Sequence, residues 1–159
     1  MLRNRLILRK MIAIAICLAG LCGTALSQVD ENTGGMTDYG SPRVKQKLVN
    51  DQMFRIKKYT TDETYGYTEK NPIMVGGKDG GPKNERRFLN ALAGPKGEPI
   101  SYKRLGSCCF FSTKNGGFGS GLLDKYEITY EGLESPIILY INMYDSDILK
   151  VPVGFTLRK

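Results

Sequence analysis

The chain has 159 residues, with 23 basic and 16 acidic side chains, and it contains neither histidine nor tryptophan. Without histidine, the usual acid–base pairs, nucleophilic triads and zinc sites lack their commonest member. The formal net charge of +7 indicates a basic protein, but four of the basic residues, Arg3, Arg5, Arg9 and Lys10, lie at the amino terminus.

The first 27 residues have the pattern of a secretory signal peptide, with a basic start, an apolar centre and small residues at Ala25 and Ser27. The apolar run from Met11 to Cys22 is shorter than the roughly 20 residues of a membrane-spanning helix. Cleavage after Ser27 leaves 159 − 27 = 132 residues with a charge of (23 − 4) − 16 = +3. We therefore predict an exported protein of the periplasm or cell envelope, without a stable transmembrane anchor after cleavage and without the basic face that nucleic-acid binding needs.

Residues 28–50 are polar and rich in turn formers, which predicts a flexible leader ahead of a single domain over residues 51–159. Two short strands are predicted early in this domain, one in the weakly alternating string "QMFRIKKYT" and one around Ile73–Val75.

The string "GGPKNERRFLNALAGPKG" predicts an amphipathic helix that starts at Pro82 and is closed by Gly94 and Pro95. Its two sides differ sharply in character. One side carries Phe88, Leu89 and Leu92, and the other carries Lys83, Arg86, Arg87 and Asn90.

Two strings after the helix predict a hairpin with its turn around residues 132–136. In "DKYEITYEG", apolar and polar residues alternate strictly, which is typical of a strand with one wet face. In "SPIILYINMYD", both faces are largely apolar, which predicts a central strand. With "EPISYKRLG", "CCFFST" and "VPVGFTL", the count reaches five to seven short strands. The predicted fold is therefore α+β, an antiparallel sheet with one amphipathic helix packed on it.

Five strings between Tyr65 and Asp145 also carry a resemblance: "YGYTEKNPI", "GPKNERRFLNAL", "ISYKRLGSCC", "GLLDKYEITYEGL" and "PIILYINMYD". Through them the chain resembles a family of small exported proteins of Gram-negative bacteria. Some members carry the name 2-dehydro-3-deoxyphosphooctonate aldolase, an enzyme that resembles a TIM barrel of about 250 residues. A chain of about half that length cannot form eight β/α units, so the resemblance implies export but no established activity.

Cys108 and Cys109 are the cysteines left after cleavage. Adjacent Cα atoms lie about 3.8 Å apart, below the usual disulfide range of roughly 4.4–6.8 Å. A regular strand would point the two thiols to opposite faces, whereas a bulge or turn would allow a bond between them. As nucleophiles they lack a histidine base, although Lys103 or Arg104 would lower a thiol pKa. Two cysteines fall short of a four-ligand zinc site, so neither a metal site nor a cofactor is predicted.

The glycine-rich approach to the helix is a candidate binding site. Free amides at Gly80 and Gly81, with Lys83, Arg86 and Arg87 nearby, favour a phosphate or carboxylate group. The string lacks the Gly-Lys-Ser/Thr ending of a P-loop, and the pattern favours a solvated basic helix face over a binding site.

These observations favour a non-enzymatic binding or assembly module whose partner is an envelope protein or a small anionic ligand. The alternative is a redox protein or enzyme that uses Cys108 and Cys109 beside Lys103 and Arg104.

Overall fold

A computed structural model of the chain describes residues 36–77 and 80–159, so the predicted signal peptide lies outside the described residues. The elements in chain order are β1 (Thr37–Asp38), β2 (Leu48–Asn50), β3 (Met53–Phe54), β4 (Lys58–Tyr59), β5 (Ile73–Met74), α1 (Gly81–Leu89), β6 (Leu92–Ala93), β7 (Ser101–Ser112), a 3₁₀ turn (Gly117–Gly119), β8 (Ser120–Thr129), β9 (Ile137–Asn142), β10 (Lys150–Val151) and β11 (Thr156–Leu157).

The main sheet has five strands in the order β1-β7-β8-β9-β5. The strands β7, β8 and β9 pair antiparallel, while β1 pairs with β7 and β5 pairs with β9 in parallel. The fold is therefore α+β, as predicted, but the sheet is mixed rather than purely antiparallel. Both parallel pairs join segments far apart in sequence, and parallel pairing needs such long connections, which a search for local hairpins does not detect.

The hairpin predicted from alternation is present as β8 and β9, with Ile128 opposite Ile137 next to the turn. In β9, Leu139 and Ile141 are fully buried, whereas Ile138 and Tyr140 are half-buried. The strand is interior to the sheet, but one of its faces is covered more completely than the other.

The helix is shorter than predicted. It begins beside Pro82, as expected, but it ends at Leu89 instead of continuing to Gly94. Leu92 and Ala93 form β6 and pair antiparallel with β11 near the end of the chain. Leu92 is buried by this long-range pairing, so its apolar character does not extend the helix. Within the described part of the chain, no helix is long and apolar enough to cross a membrane.

The segment predicted as a leader contributes to the domain from residue 36 onward. Its first part forms β1 on the edge of the main sheet, and its last part pairs as β2 with β3. Between them, the main-chain N–H of Val44 donates to the main-chain oxygen of Ser146 at 2.9 Å. These contacts are made by main-chain groups, so they leave no apolar signal in the sequence.

Candidate functional site

A cleft of about 940 Å³ is lined by residues 43–46 and 48 on one side and by Asn84 and Arg87 of α1 on the other. Its apolar lining includes Val44, Leu48, Phe54 and Val75, and Tyr144 also lines it. Among the described residues that line it, the charged side chains are Arg43, Lys45 and Arg87. The cleft thus combines an apolar wall with a rim of positive charge.

Arg43 and Val44 are held on the cleft by two loops, the one between β7 and β8 and the one that follows β9. Val44 N–H donates to the Ser146 hydroxyl at 2.8 Å, and the Arg43 guanidinium donates to the side-chain oxygen of Asn115. Asn115 in turn donates to the fully buried Asp145 at 2.8 Å. This chain of hydrogen bonds fixes one rim of the cleft to the core.

Two of the three cations of the predicted basic site on the helix form ion pairs with Asp51 of the same chain. The Lys83 ammonium lies 2.9 Å from the Asp51 carboxylate, and Arg87 contacts Asp51 at 2.9 Å as well. Hydrogen bonds from Lys83 and then Arg87 lower the pKa of Asp51 below its ordinary value. Arg86 is exposed and does not line the cleft. Of the predicted helix cations, only Arg87 borders the cleft, and its guanidinium also donates to Asn84 at 2.9 Å.

Gly80 and Gly81, the two glycines of the predicted anion site, shape the start of α1. Gly80 adopts a φ of +117° and caps the helix through its main-chain oxygen, which accepts from Asn84 N–H at 2.9 Å. Gly81 is buried against Met143, where an added Cβ would lie 2.9 Å from the sulfur. Both glycines therefore contact other residues of the same chain, Asn84 and Met143, and these contacts shape the start of the helix.

Cys108 and Cys109 form a disulfide across a single peptide bond. The register of β7 against β8 shifts between Cys108, opposite Leu123, and Phe110, opposite Leu122, so Cys109 is the extra residue of a β-bulge. Cys109 has a φ of +56°, which a regular strand does not allow. Of the two geometries left open by the sequence, the bulge is the one observed.

Arg104 and Lys103, the two cations predicted to lower a thiol pKa, have different surroundings: Arg104 is ion-paired, whereas Lys103 is exposed. Arg104 donates to Asp124 at 2.6 Å and 2.8 Å and to Ser107 at 2.7 Å. Hydrogen bonding to Asp124 raises the pKa of Arg104 above its ordinary value. Lys103 is exposed on β7. Because the sulfurs are bonded to each other, neither cation has a thiol to activate in this state.

A buried acidic pair lies under the helix and was not predicted. Glu85 of α1 and Asp124 of β8 are 0% and 1% exposed. Tyr126 donates to Glu85 Oε2 at 2.9 Å, and Glu85 Oε1 is a buried side-chain atom without a hydrogen-bond partner. A carboxyl pair of this kind is able to hold a proton, but a substrate cannot reach it in this conformation.

The two acids of the pair differ in their pKa. Burial, followed by the nearby charge of Asp124, raises the pKa of Glu85 to about 8. Burial alone would also raise the pKa of Asp124, but hydrogen bonds from Arg104 and Ser107 lower it below its ordinary value. At neutral pH these shifts favour the protonated form of Glu85 and the ionised form of Asp124. A hydrogen bond between Glu85 and Asp124 requires this proton, because two ionised carboxylates are acceptors only.

The sequence contains a signal for this pair. Glu85 precedes Phe88 and Leu89 by three and four residues, which places it on the apolar side of the helix. Asp124 is two residues before Tyr126 on the inward face of β8. Each acid therefore interrupts an apolar pattern at a position that points into the core.

No protein-family model, curated protein or solved structure matches this chain. Its function is therefore inferred from its own residues.

Proposed function

We propose that the protein is an exported, non-enzymatic binding module and that the cleft beside residues 43–48 binds a small anion with an apolar portion. The observation that carries this proposal is the composition of the cleft, in which Arg43, Lys45 and Arg87 border an apolar wall. An anionic head group would meet the cations, while an apolar tail would lie on Val44 and Phe54. Pockets with an apolar lining and a few placed polar groups are typical of small-molecule sites.

Arg43 and Lys45 are the cations we expect to contact the head group. Both are exposed, whereas Arg87 already contacts Asp51 and Asn84. The Arg43 guanidinium uses its Nε to donate to Asn115, which orients its terminal nitrogens. An arginine held in this way suits a carboxylate or phosphate group, because its planar fork forms two parallel hydrogen bonds.

The bonded cysteines and the burial of the acidic pair support the non-enzymatic part of the proposal. Cys108 and Cys109 are bonded to each other, and the acidic pair of Glu85 and Asp124 is out of contact with solvent. Neither set presents a nucleophile or an acid–base group to a ligand in the cleft. Export is supported by the signal-peptide pattern of the first 27 residues.

The test compares four probes that separate the head group from the tail. Thermal unfolding of the chain from residue 28 would be followed with n-hexyl phosphate, hexanoate, hexanol and inorganic phosphate. We expect stabilisation by the two amphiphilic anions, because a ligand that binds only the folded state raises the free energy of unfolding. Hexanol and inorganic phosphate should stabilise much less, since each lacks one of the two features that the cleft recognises.

Two variants locate the binding. Arg43→Gln combined with Lys45→Gln should abolish most of the stabilisation by hexyl phosphate. Lys47→Gln, which removes an exposed cation that does not line the cleft, should leave it unchanged. Equal responses in both variants, or no response to either amphiphilic anion, would refute the proposed site.

A further inference from the structure

An exposed carboxylate lies beside the vicinal disulfide. A carboxylate oxygen of Glu69 and the Sγ atoms of Cys108 and Cys109 all lie within 4.8 Å of one another. The two cysteines are half-buried and Glu69 is exposed, so a species from solvent can reach the group. Glu69 comes from the loop before β5, and the cysteines come from β7, so the fold brings these residues together.

Tyr39 positions Glu69 over the bulge. Its hydroxyl donates to the main-chain oxygen of Glu69 at 2.5 Å. Its ring packs on Phe111, two residues beyond Cys109, with centroids 5.1 Å apart. Phe111 is fully buried, so Tyr39 connects the loop that carries Glu69 to a fixed point of β7.

The bulge is held by the sheet on both sides of Cys109. Cys108 pairs with Leu123 and Phe110 pairs with Leu122 in the ladder between β7 and β8. Because the disulfide joins adjacent residues, it closes a minimal loop and restricts the unfolded chain very little. We therefore expect the bulge to persist after reduction, with both thiols next to Glu69.

We propose that Cys108, Cys109 and Glu69 form a binding site for a thiolate-preferring divalent cation such as Zn²⁺, and that reduction of the disulfide by a dithiol opens this site. In the first step the dithiol loses two electrons and two protons and becomes a disulfide. The Cys108–Cys109 bond breaks, and each sulfur gains one electron and one proton. In the second step the cation binds both sulfurs and their two protons pass to solvent.

The residues match the ligand preferences of Zn²⁺. Thiolates are soft ligands that select zinc over magnesium or calcium. Two thiolates and one carboxylate supply three protein ligands, and a water molecule completes the tetrahedral arrangement of an open site. The carboxylate comes from Glu69, which a search of the sequence for cysteine and histidine alone does not reveal.

The test uses Co²⁺ as a spectroscopic probe, because cobalt bound to thiolates has a charge-transfer absorption that cobalt bound to oxygen lacks. The chain from residue 28 is reduced with dithiothreitol, freed of reductant without air, assayed for two thiols and titrated with Co²⁺. We expect a thiolate band that saturates at one Co²⁺ per chain and disappears when Zn²⁺ is added. The oxidised protein should show no such band.

Variants assign the ligands. Cys109→Ser should lose the band. Glu69→Gln should weaken Co²⁺ binding at least about tenfold, because even the loss of an outer-shell partner has that effect. Glu63→Gln, an exposed glutamate in the same loop, is the matched control and should bind normally. The site is wrong if the reduced protein shows no thiolate band or if Glu69→Gln binds Co²⁺ as tightly as Glu63→Gln.

Discussion

Glu85 couples the stability of the fold to pH. Burial and the neighbouring Asp124 raise its pKa from an ordinary 4.5 to about 8. Between these two values the folded state keeps the proton that the unfolded state has lost. Since the folded state binds more protons in this window, the contribution of Glu85 to the free energy of unfolding is fully present below pH 4.5 and is lost as the pH rises toward 8.

Replacing Glu85 by Gln should remove this dependence. The amide keeps the shape of the protonated acid, so its carbonyl accepts from Tyr126 and its nitrogen donates toward Asp124. In urea unfolding at pH 5, 6, 7 and 8, we expect the wild-type free energy of unfolding to fall relative to the variant by up to about 1.4 kcal/mol per pH unit.

The control for this experiment is Glu131→Gln, because Glu131 is an exposed glutamate in the turn after β8. It should follow the wild-type pH dependence. If wild type and Glu85→Gln remain parallel from pH 5 to pH 8, Glu85 does not hold its proton in the folded state.

At the level of elements, the loop between β7 and β8 contains a glycine, Gly116, at which an added side chain would clash with the main chain. A Cβ on Gly116 would clash with the main-chain oxygen of Ser120, a contact that no side-chain movement relieves. The neighbouring Gly117 has open space within 4 Å at the same position. These two glycines are indistinguishable in the string "NGGFGSG", although their surroundings in the fold are opposite.

Gly116→Ala should therefore destabilise the hairpin, whereas Gly117→Ala should not. Relief of the clash requires a shift of the loop main chain, and such overpacking costs about 1–3 kcal/mol, or roughly 3–10 °C in Tm for a domain of this size. Thermal unfolding followed by circular dichroism measures the difference. Equal Tm values for the two variants would contradict the close approach at Gly116.

Elements formed by local patterns were predictable, and elements formed by distant pairing were not. Strict alternation identified β8, and the turn residues after it identified the hairpin with β9. The end of α1 was predicted wrongly because Leu92 is buried by pairing with β11, a strand more than 60 residues later in the chain. The cysteine bulge was one of two open geometries, since the choice depends on the register of β7 against β8 rather than on the neighbours of the cysteines.

At the scale of the whole molecule, residues 36–50 also form contacts with distant parts of the chain that a local sequence pattern does not predict. Their polar composition predicts a flexible leader, yet in the structure they carry one wall of the cleft and cover an edge of the main sheet. The cleft could not be located from the sequence, because it forms between this segment and α1. Of its cations, the helix pattern pointed to Arg87, while Arg43 and Lys45 fell in the segment considered mobile.

Removing residues 36–50 tests whether this segment is an integral part of the domain or a flexible leader. A chain that starts at residue 51 loses the Tyr39 contact with Phe111, the hydrogen bonds of Val44 and the pairing of β2 with β3. We expect its Tm to lie well below that of the chain from residue 28, by roughly 5 °C or more, since each lost kcal/mol lowers the Tm by several degrees. Tyr39→Ala in the longer chain should produce part of this loss, whereas Tyr59→Ala, whose side chain is 58% exposed, should not. If the two chain lengths unfold at the same temperature, residues 36–50 are a leader and the cleft loses its outer wall in solution.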